Sequence, residues 1–407
     1  MSAEEPLEEM SFRFDELFFS RTESHGIIQS GNAVFQRVSG YSWEELIGKA
    51  HKLVRHPDMP RAVFYILWDR IKQGKPVGAY VKNRTKDGRH YWVFAVVTPI
   101  EGGFLSVRLK PSTTLFATIQ KEYEALRQIE IEQKPMPAAS AAALVDRLKA
   151  LGFADYEAFM SDALAAEVTA RDGALHRRSD MRLQRFGDVL ASARALLSEA
   201  AVVSAGYAKN ERVSLNFQVQ AAKLGETGAV TGQISKNYDL ICAQINTSLE
   251  KFITSAHEVF ATVSNAQFLT CTALIQQEVH DLFLRETESG ASQNSEEIPR
   301  LEHQLKAYQQ LAVDGLQEIA ERSTLFRRQC EDMKRMAGAL EVTRIMGMVE
   351  CARQKLVGES LGELLAELET LQVAVTEGLA SIDRANQRIK NGTESLISHA
   401  RWVARAA

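Results

Sequence analysis

Arg55-His56-Pro57-Asp58-Met59-Pro60 brings a guanidinium, an imidazole and a carboxylate to one bend of the chain. Pro57 restricts His56 to an extended backbone. Asp58 can cap the helix expected after Pro60. Such a set can offer hydrogen-bond donors to an anion or to the edge of a flavin, and His56 could alternatively ligate a haem. The plainer reading is a helix-capping turn in which Arg55 and Asp58 pair only to hold geometry. No catalytic triad, paired-carboxylate cleft or metal-ligand cluster accompanies the bend, so the chain is not expected to be an enzyme. Gly225-Glu226-Thr227-Gly228 lacks the Lys-Ser/Thr of a phosphate loop and lies between helices. His257-Glu258 and His280-Asp281 would suit phosphoacceptor histidines, but no glycine-rich nucleotide-binding region follows, and they read as solvated helix positions. Cys242, Cys271, Cys330 and Cys351 have no metal-site spacing and read as small buried residues in a reducing compartment.

The elements that must position these residues differ along the chain. Residues 1–112 are mixed. "AYVKNRTKDGRHYWVFAVVTPIEGGFLSVRLKP" alternates like antiparallel strands, with turns at Lys86-Asp87-Gly88 and Glu101-Gly102-Gly103. Before it, Ser42 and Glu45 form a capping-box pattern, and a longer helix is expected from Arg61 to Gln73. The result is an α+β fold with one antiparallel sheet and a helical wall. Residues 113–180 read as a connecting helix, a Pro break at "KPMPAAS" and a small helical hairpin turning at Gly152. Residues 181–407 are helical, with apolar positions three and four apart, as in Tyr238, Ile241, Ile245, Leu249 and Phe252. That spacing indicates an all-α, elongated antiparallel bundle. The polar stretch 287–299 is a turn between antiparallel helices. A net charge of −4 speaks against a nucleic-acid partner. The acidic start and the absence of an uncharged apolar run of spanning length lead to the expectation of a cytoplasmic chain without a membrane span.

"NAVFQRVSGYSWEELIGKAHKLVRHPDMP" with "LWDRIKQGKPVGAYVKNRTKDGRHYWV" resembles the PAS domain of bacterial aerotaxis receptors over about residues 20–110. The resemblance implies non-covalently bound FAD and redox sensing, with Asn32, Arg55, His56, Asp58, Trp68 and Asn83 as the matching cofactor-site positions. The chain departs from the family at Val77, where an aromatic wall is expected.

"LNFQVQAAKLGETG", in which Leu215, Asn216, Ala221, Ala222, Gly225, Glu226 and Gly228 keep one register, resembles the cytoplasmic hairpin tip of methyl-accepting chemotaxis receptors. Gln220 and Lys223 stand where that family has Glu and Arg, and the flanks on both sides differ. "IMGMVECARQKLVGE" repeats the core, with Glu350 and Arg353 at the positions of Gln220 and Lys223. Two tandem hairpins, 181–287 and 299–407, are therefore expected to pack as one bundle, the alternative being pairing of the two halves across a homodimer. The resemblance implies partner contacts at Asn216, Gln220, Lys223, Glu226, Glu350 and Arg353, toward a coupling protein, a histidine kinase or other receptors. The function it implies is a soluble transducer that relays a redox or oxygen signal from the PAS domain to chemotaxis-type partners. The alternatives are a cofactor-free PAS docking or dimerisation module on a helical scaffold and a phosphorelay histidine protein.

Overall fold

The computed structural model describes residues 9–178, 180–223, 229–289, 296–353 and 358–406, with backbone alone for most of 208–231 and 350–364 and for 399–406. They fall into two compact units, Met1–Gln184 with Ser264–Asp314, and Arg185–Val263 with Gly315–Ala407. Compactness thus divides the chain differently from the expected 1–112, 113–180 and 181–407. The connecting helices and a stretch of the long helical region belong with the sheet.

In the first unit, β1 (Phe18–Glu23), β2 (Ile28–Gly31), β3 (Val77–Arg84), β4 (His90–Ile100) and β5 (Gly103–Leu109) form one antiparallel sheet in the order β2-β1-β5-β4-β3. The turns between the last three strands fall where the sequence places them, with Gly88 and Gly102 at φ 94 and 76, conformations that glycine adopts without a Cβ penalty. One face is covered by α1 (Ala33–Ser39), α2 (Trp43–Leu46), a 3₁₀ turn at His51–Val54 and α3 (Arg61–Lys72). The predicted capping box starts α2, the Ser42 N–H donating to the Glu45 carboxylate at 3.0 Å.

The other face carries large side chains at alternate positions, Tyr80, Trp92 and Phe94 among them. It is covered by α4 (Thr114–Gln133), by α6 (Tyr156–Ala174), which follows α5 (Pro137–Ala150), and by parts of α8 (Ala229–Glu288) and α9 (Glu297–Arg353). Phe116 of α4 and Phe159 of α6 pack on Tyr80. Phe283 of α8 meets Phe19 edge-on at 5.1 Å. Gly78 makes room for Phe268, whose ring would stand 3.0 Å from a Cβ there.

Two buried glutamates and a half-buried one tie these helices down by capping the N-terminus of an element distant in sequence. Glu130 of α4 accepts from the Arg61 and Ala62 amides of α3 at 2.8 and 3.1 Å. Glu167 of α6 accepts from Ser112 and Thr113 ahead of α4. Glu286 of α8 accepts from the Ala33 amide of α1 at 3.1 Å. Each satisfies helix-end donors that no intrahelical carbonyl reaches. The cap expected from Asp58 is not formed. Asp58 is exposed and pairs with Lys82 at 2.8 Å, and Glu130 takes its place on α3.

The second unit is a four-helix antiparallel bundle. It comprises α7 (Met181–Lys223) from Arg185, α8 to Val263, α9 from Gly315 and α10 (Gly358–Ala406). Helix α10 runs against both α7 and α9: Val203 lies at Gly378 and Val375 at Gly206, while Ser323 meets Asn386 and Arg344 meets Gln372. Helices α8 and α9 stack Phe252 on Phe326 at 5.0 Å. The stretch Met181–Tyr207 is long and apolar enough to cross a membrane by composition, although it carries Arg194 and Glu199. Its Val189, Leu196, Val203 and Tyr207 are buried. Glu226 lies outside the described residues. So do the side chains of Asn216, Gln220, Lys223, Glu350 and Arg353, which belong to helices described there by backbone alone.

Two glycine substitutions separate propensity from packing. At Gly338 of α9 a Cβ meets nothing within 4 Å, so Gly338→Ala should stabilise by up to about 1 kcal/mol. At Gly378 a Cβ would stand 2.8 Å from Val203 Cγ2, and overpacking of about 1–3 kcal/mol should outweigh that gain. Urea denaturation should move the midpoint up for the first variant and down for the second.

Candidate functional site

Side chains of a strand alternate between the two faces of a sheet. Val81 and Asn83 of β3, Ala95 and Val97 of β4, Phe104, Ser106 and Arg108 of β5, and Thr22 of β1 all reach the same face. They floor a cavity of about 300 Å³. Its wall is one stripe of α3, Phe64, Leu67, Trp68 and Ile71, at the spacing that puts residues on a single helix face. The volume and the mainly apolar lining with a few polar groups suit a small-molecule site. Trp68 meets Phe104 edge-on at 5.7 Å. The Arg55 guanidinium sits 3.6 Å above the Phe64 ring, and burial lowers its pKa.

The polar centre is Arg108, which is buried and reaches no carboxylate. Its Nη2 donates to Ser20 Oγ at 2.8 Å and to His51 Nε2 at 2.6 Å. Its Nη1 has no partner. Its guanidinium lies 5.2 Å from the Phe35 ring centroid, and Phe35 stacks on the His51 ring at 6.0 Å. A guanidinium only donates, so His51 Nε2 must accept and the imidazole proton sits on Nδ1. Burial, and next the Arg108 charge, lower the His51 pKa from its ordinary 6.5 to about 3. Burial lowers Arg108 only to about 10, so it remains charged at neutral pH. A buried cation with an unpaired donor is costly unless an acceptor joins it. Together with the aromatic walls, it suits a flat heteroaromatic ligand that carries carbonyl or anionic acceptors.

Of the six residues matched to a cofactor site, Arg55, Trp68 and Asn83 line this cavity. His56, Asp58 and Asn32 are not among its lining residues. The His56 Nδ1 accepts from the Asp58 amide at 3.2 Å, and the ring lies edge-on to His90 at 6.1 Å. Arg55 stacks on Phe64 and does not pair with Asp58. Asn32 is the N-cap of α1: Oδ1 accepts from Phe19 N and Phe35 N, and Nδ2 donates to Leu17 O and to Glu286. Val77 is buried and not part of the lining. Thr22, His25, His51, Lys52, Ser106 and Arg108 are the polar lining residues that sequence reasoning missed, with His51 and Arg108 at their centre. The available signal was period two in "GFLSVRL", which places Arg108 on the face of Phe104 and Ser106. His280 and Asp281, 3.3 Å apart, lie on α8 outside the cavity. Among the described residues no group of His, Cys, Asp and Glu side chains could hold a metal ion.

The strand neighbours of the cavity residues face the opposite way and touch the helices there. Arg21, beside Thr22, makes a two-bond ion pair with Glu297 of α9 at 2.7 and 2.8 Å. Thr98, beside Val97, accepts from Gln276 of α8 at 3.2 Å. The Pro99 carbonyl accepts from Gln304 of α9 at 3.0 Å.

The state of His51 makes a pH prediction. Between pH 6.5 and about 3 the unfolded chain binds a proton at this residue that the folded chain does not. Stability contributed by neutral His51 is therefore complete above pH 6.5 and falls as the pH drops through that window, by up to about 1.4 kcal/mol per unit. His51→Gln removes this contribution. Urea midpoints at pH 7 and pH 5 should fall more steeply for the natural protein than for the variant.

A family profile described as the PAS fold matches residues 30–107. The chain is 41% identical over 117 residues to the aerotaxis receptor of Escherichia coli (strain K12), covering 28% of this chain and 23% of the receptor. It is 25% identical over 115 residues to the biofilm dispersion protein BdlA of Pseudomonas aeruginosa, covering 27% of each. The chain thus spans about a quarter of the length of the curated relatives it matches. The solved PAS domain of a Colwellia psychrerythraea protein aligns with 23% of this chain and 85% of its own, at 23% identity and a TM-score of 0.21. The strand order, the helical wall and the matched profile make residues 30–107 a PAS domain, and the segment around them is similar in sequence to an aerotaxis receptor.

Proposed function

We propose that the chain is a signal transducer whose PAS cavity binds FAD and whose sheet passes the redox state of that cavity to the helices on its other face. The observation that carries this reading is the buried Arg108 with its unpaired Nη1 in an aromatic-walled cavity. Similarity to an aerotaxis receptor supports it. Bound FAD would supply electron transfer with the surroundings.

The chain's own residues have separable roles. Phe64, Trp68 and Phe104 would bind the flat ring system and exclude water. Asn83 and Ser106 would orient its polar edge. Arg108 would hold a positive charge at Nη1, which in a low-dielectric site favours negative charge gained on reduction. His51, as acceptor to Nη2, keeps that guanidinium in place. A change in charge beside Arg108 would shift β5 and β1, and Arg21, Thr98 and Pro99 would carry the shift to Glu297, Gln276 and Gln304. In this reading α8 and α9 are the output path, because they bond directly to strands that floor the cavity.

Helices α8 and α9 continue into the four-helix bundle. Its partners, in this reading, are a coupling protein or histidine kinase of the chemotaxis type, or other receptors. The contact residues are Asn216, Gln220, Lys223, Glu226, Glu350 and Arg353 at the two helix breaks.

The purified full chain should show flavin absorbance that bleaches with dithionite. Arg108→Met should weaken FAD retention by about tenfold or more, read by equilibrium dialysis. A chain that stays colourless after incubation with FAD would overturn the flavin reading. Haem uptake under the same conditions would identify the other cofactor, and uptake of neither would leave the cofactor-free docking module.

A further inference from the structure

The second unit encloses a polar layer to which each of its four helices contributes. Tyr207 comes from α7, Tyr238 and Cys242 from α8, Arg344 from α9 and Gln372 from α10, and all five are buried. Tyr238 lies near the other four. Arg344 Nε donates to Gln372 Oε1 at 3.1 Å, and its Nη1 stands 3.3 Å from the Glu369 carboxylate. The rest of the layer is incomplete. Tyr207 Oη, Tyr238 Oη and Gln372 Nε2 have almost no surface open to solvent and make no hydrogen bond of good geometry, although the Gln372 side chain stands close enough to the Tyr238 hydroxyl to interact with it. Among the described residues, these are three of the four such side-chain atoms in this unit, the other being Gln329 Oε1.

The neighbouring layers are different. Phe252 and Phe326 stack as a purely apolar pair. Ser323 and Asn386 satisfy each other, with Ser323 Oγ donating to Asn386 Oδ1 at 2.8 Å and Asn386 Nδ2 to the Ser323 carbonyl at 2.9 Å. On the α7–α10 side, Gly206 sits against Val375 and Gly378 against Val203, an apolar and closely packed contact beside the layer.

A buried polar atom without a partner forfeits its hydration. Closed packing of the layer therefore competes with a locally opened form in which water reaches these three groups. We propose that the Tyr207–Tyr238–Arg344–Gln372 layer is a built-in opening point of the bundle, poised between a closed packing and a hydrated open one. Two such states are what a signalling helix pair requires, and local opening draws on the least satisfied part of a structure. The layer stands independently of what the PAS cavity binds.

The test replaces the unpaired groups with apolar ones of similar shape. In the full chain carrying Tyr207→Phe, Tyr238→Phe and Gln372→Leu, amide exchange at 236–244 and 340–346 should slow by about tenfold or more. Exchange around Phe252 and Phe326 should stay the same, and the melting temperature should rise by about 2–4 °C or more. The single variant Tyr238→Phe, which keeps the Arg344–Gln372 bond, should slow the same amides in the same direction. Unchanged or faster exchange at those amides in the single variant would overturn the proposal, as would a lowered melting temperature in the triple variant with exchange faster at the layer alone.

Discussion

The first unit depends on one constraint: its five-stranded sheet has no solvated face. Alternation along each strand sends Thr22, Val81, Asn83, Val97 and Arg108 to a cavity. It sends Arg21, Tyr80, Phe94 and Thr98 to a layer of helices. A side chain that binds and a side chain that reports can therefore be consecutive residues of one strand. No hinge or long lever is needed between them, because a strand cannot shift one face without carrying the other.

The second organising feature is charge placed at distant helix ends. Glu130, Glu167 and Glu286 each close the N-terminus of an element far away in sequence. Hydrogen bonds to a charged group contribute about 1.5–3 kcal/mol each, and losing the carboxylate would strand part-buried helix-end amides. The connecting helices and the 264–314 stretch are consequently integral to the sheet unit. Glu286 has no cation beside it; burial raises its pKa, against the amides of Ala33 and Asn32 that lower it. Arg171 supplies a further tie, donating two bonds to Glu278 and one to the Phe14 carbonyl, and so fastens the segment before β1 to α6 and α8.

What the sequence disclosed was local, and what it concealed was distant. The strands, their glycine turns, the Ser42–Glu45 box and the helix after Pro60 follow from patterns a few residues long. Trp68 and Asn83 reach the cavity because helix and strand periodicity fixes their faces, whereas Arg55 is placed by the 3₁₀ turn before it and its bridge to Asn83. Asn32 and Asp58 have side chains suited to several jobs, and long-range partners decided them. Glu286 lies 254 residues from Asn32, and Glu130 displaces Asp58 from α3. Arg108 looked like an ordinary strand residue, since only the assembled sheet shows that no carboxylate reaches it. Spacing of three and four in α8 and α9 marks an apolar stripe without naming its neighbour, so the bundle expected over 181–407 takes in Phe268 and Phe283, which pack on the sheet.

The most direct measurement is hydrogen–deuterium exchange on the flavin-loaded full chain, oxidised and then reduced with dithionite. Coupling through the sheet predicts altered exchange in α8 over 268–288 and in α9 over 297–304, together with β1 and β5, and an attenuated response in α8 and α9 for Arg21→Ala. A reduction-dependent change confined to the cavity strands, with α8 and α9 indifferent to the redox state, would contradict it.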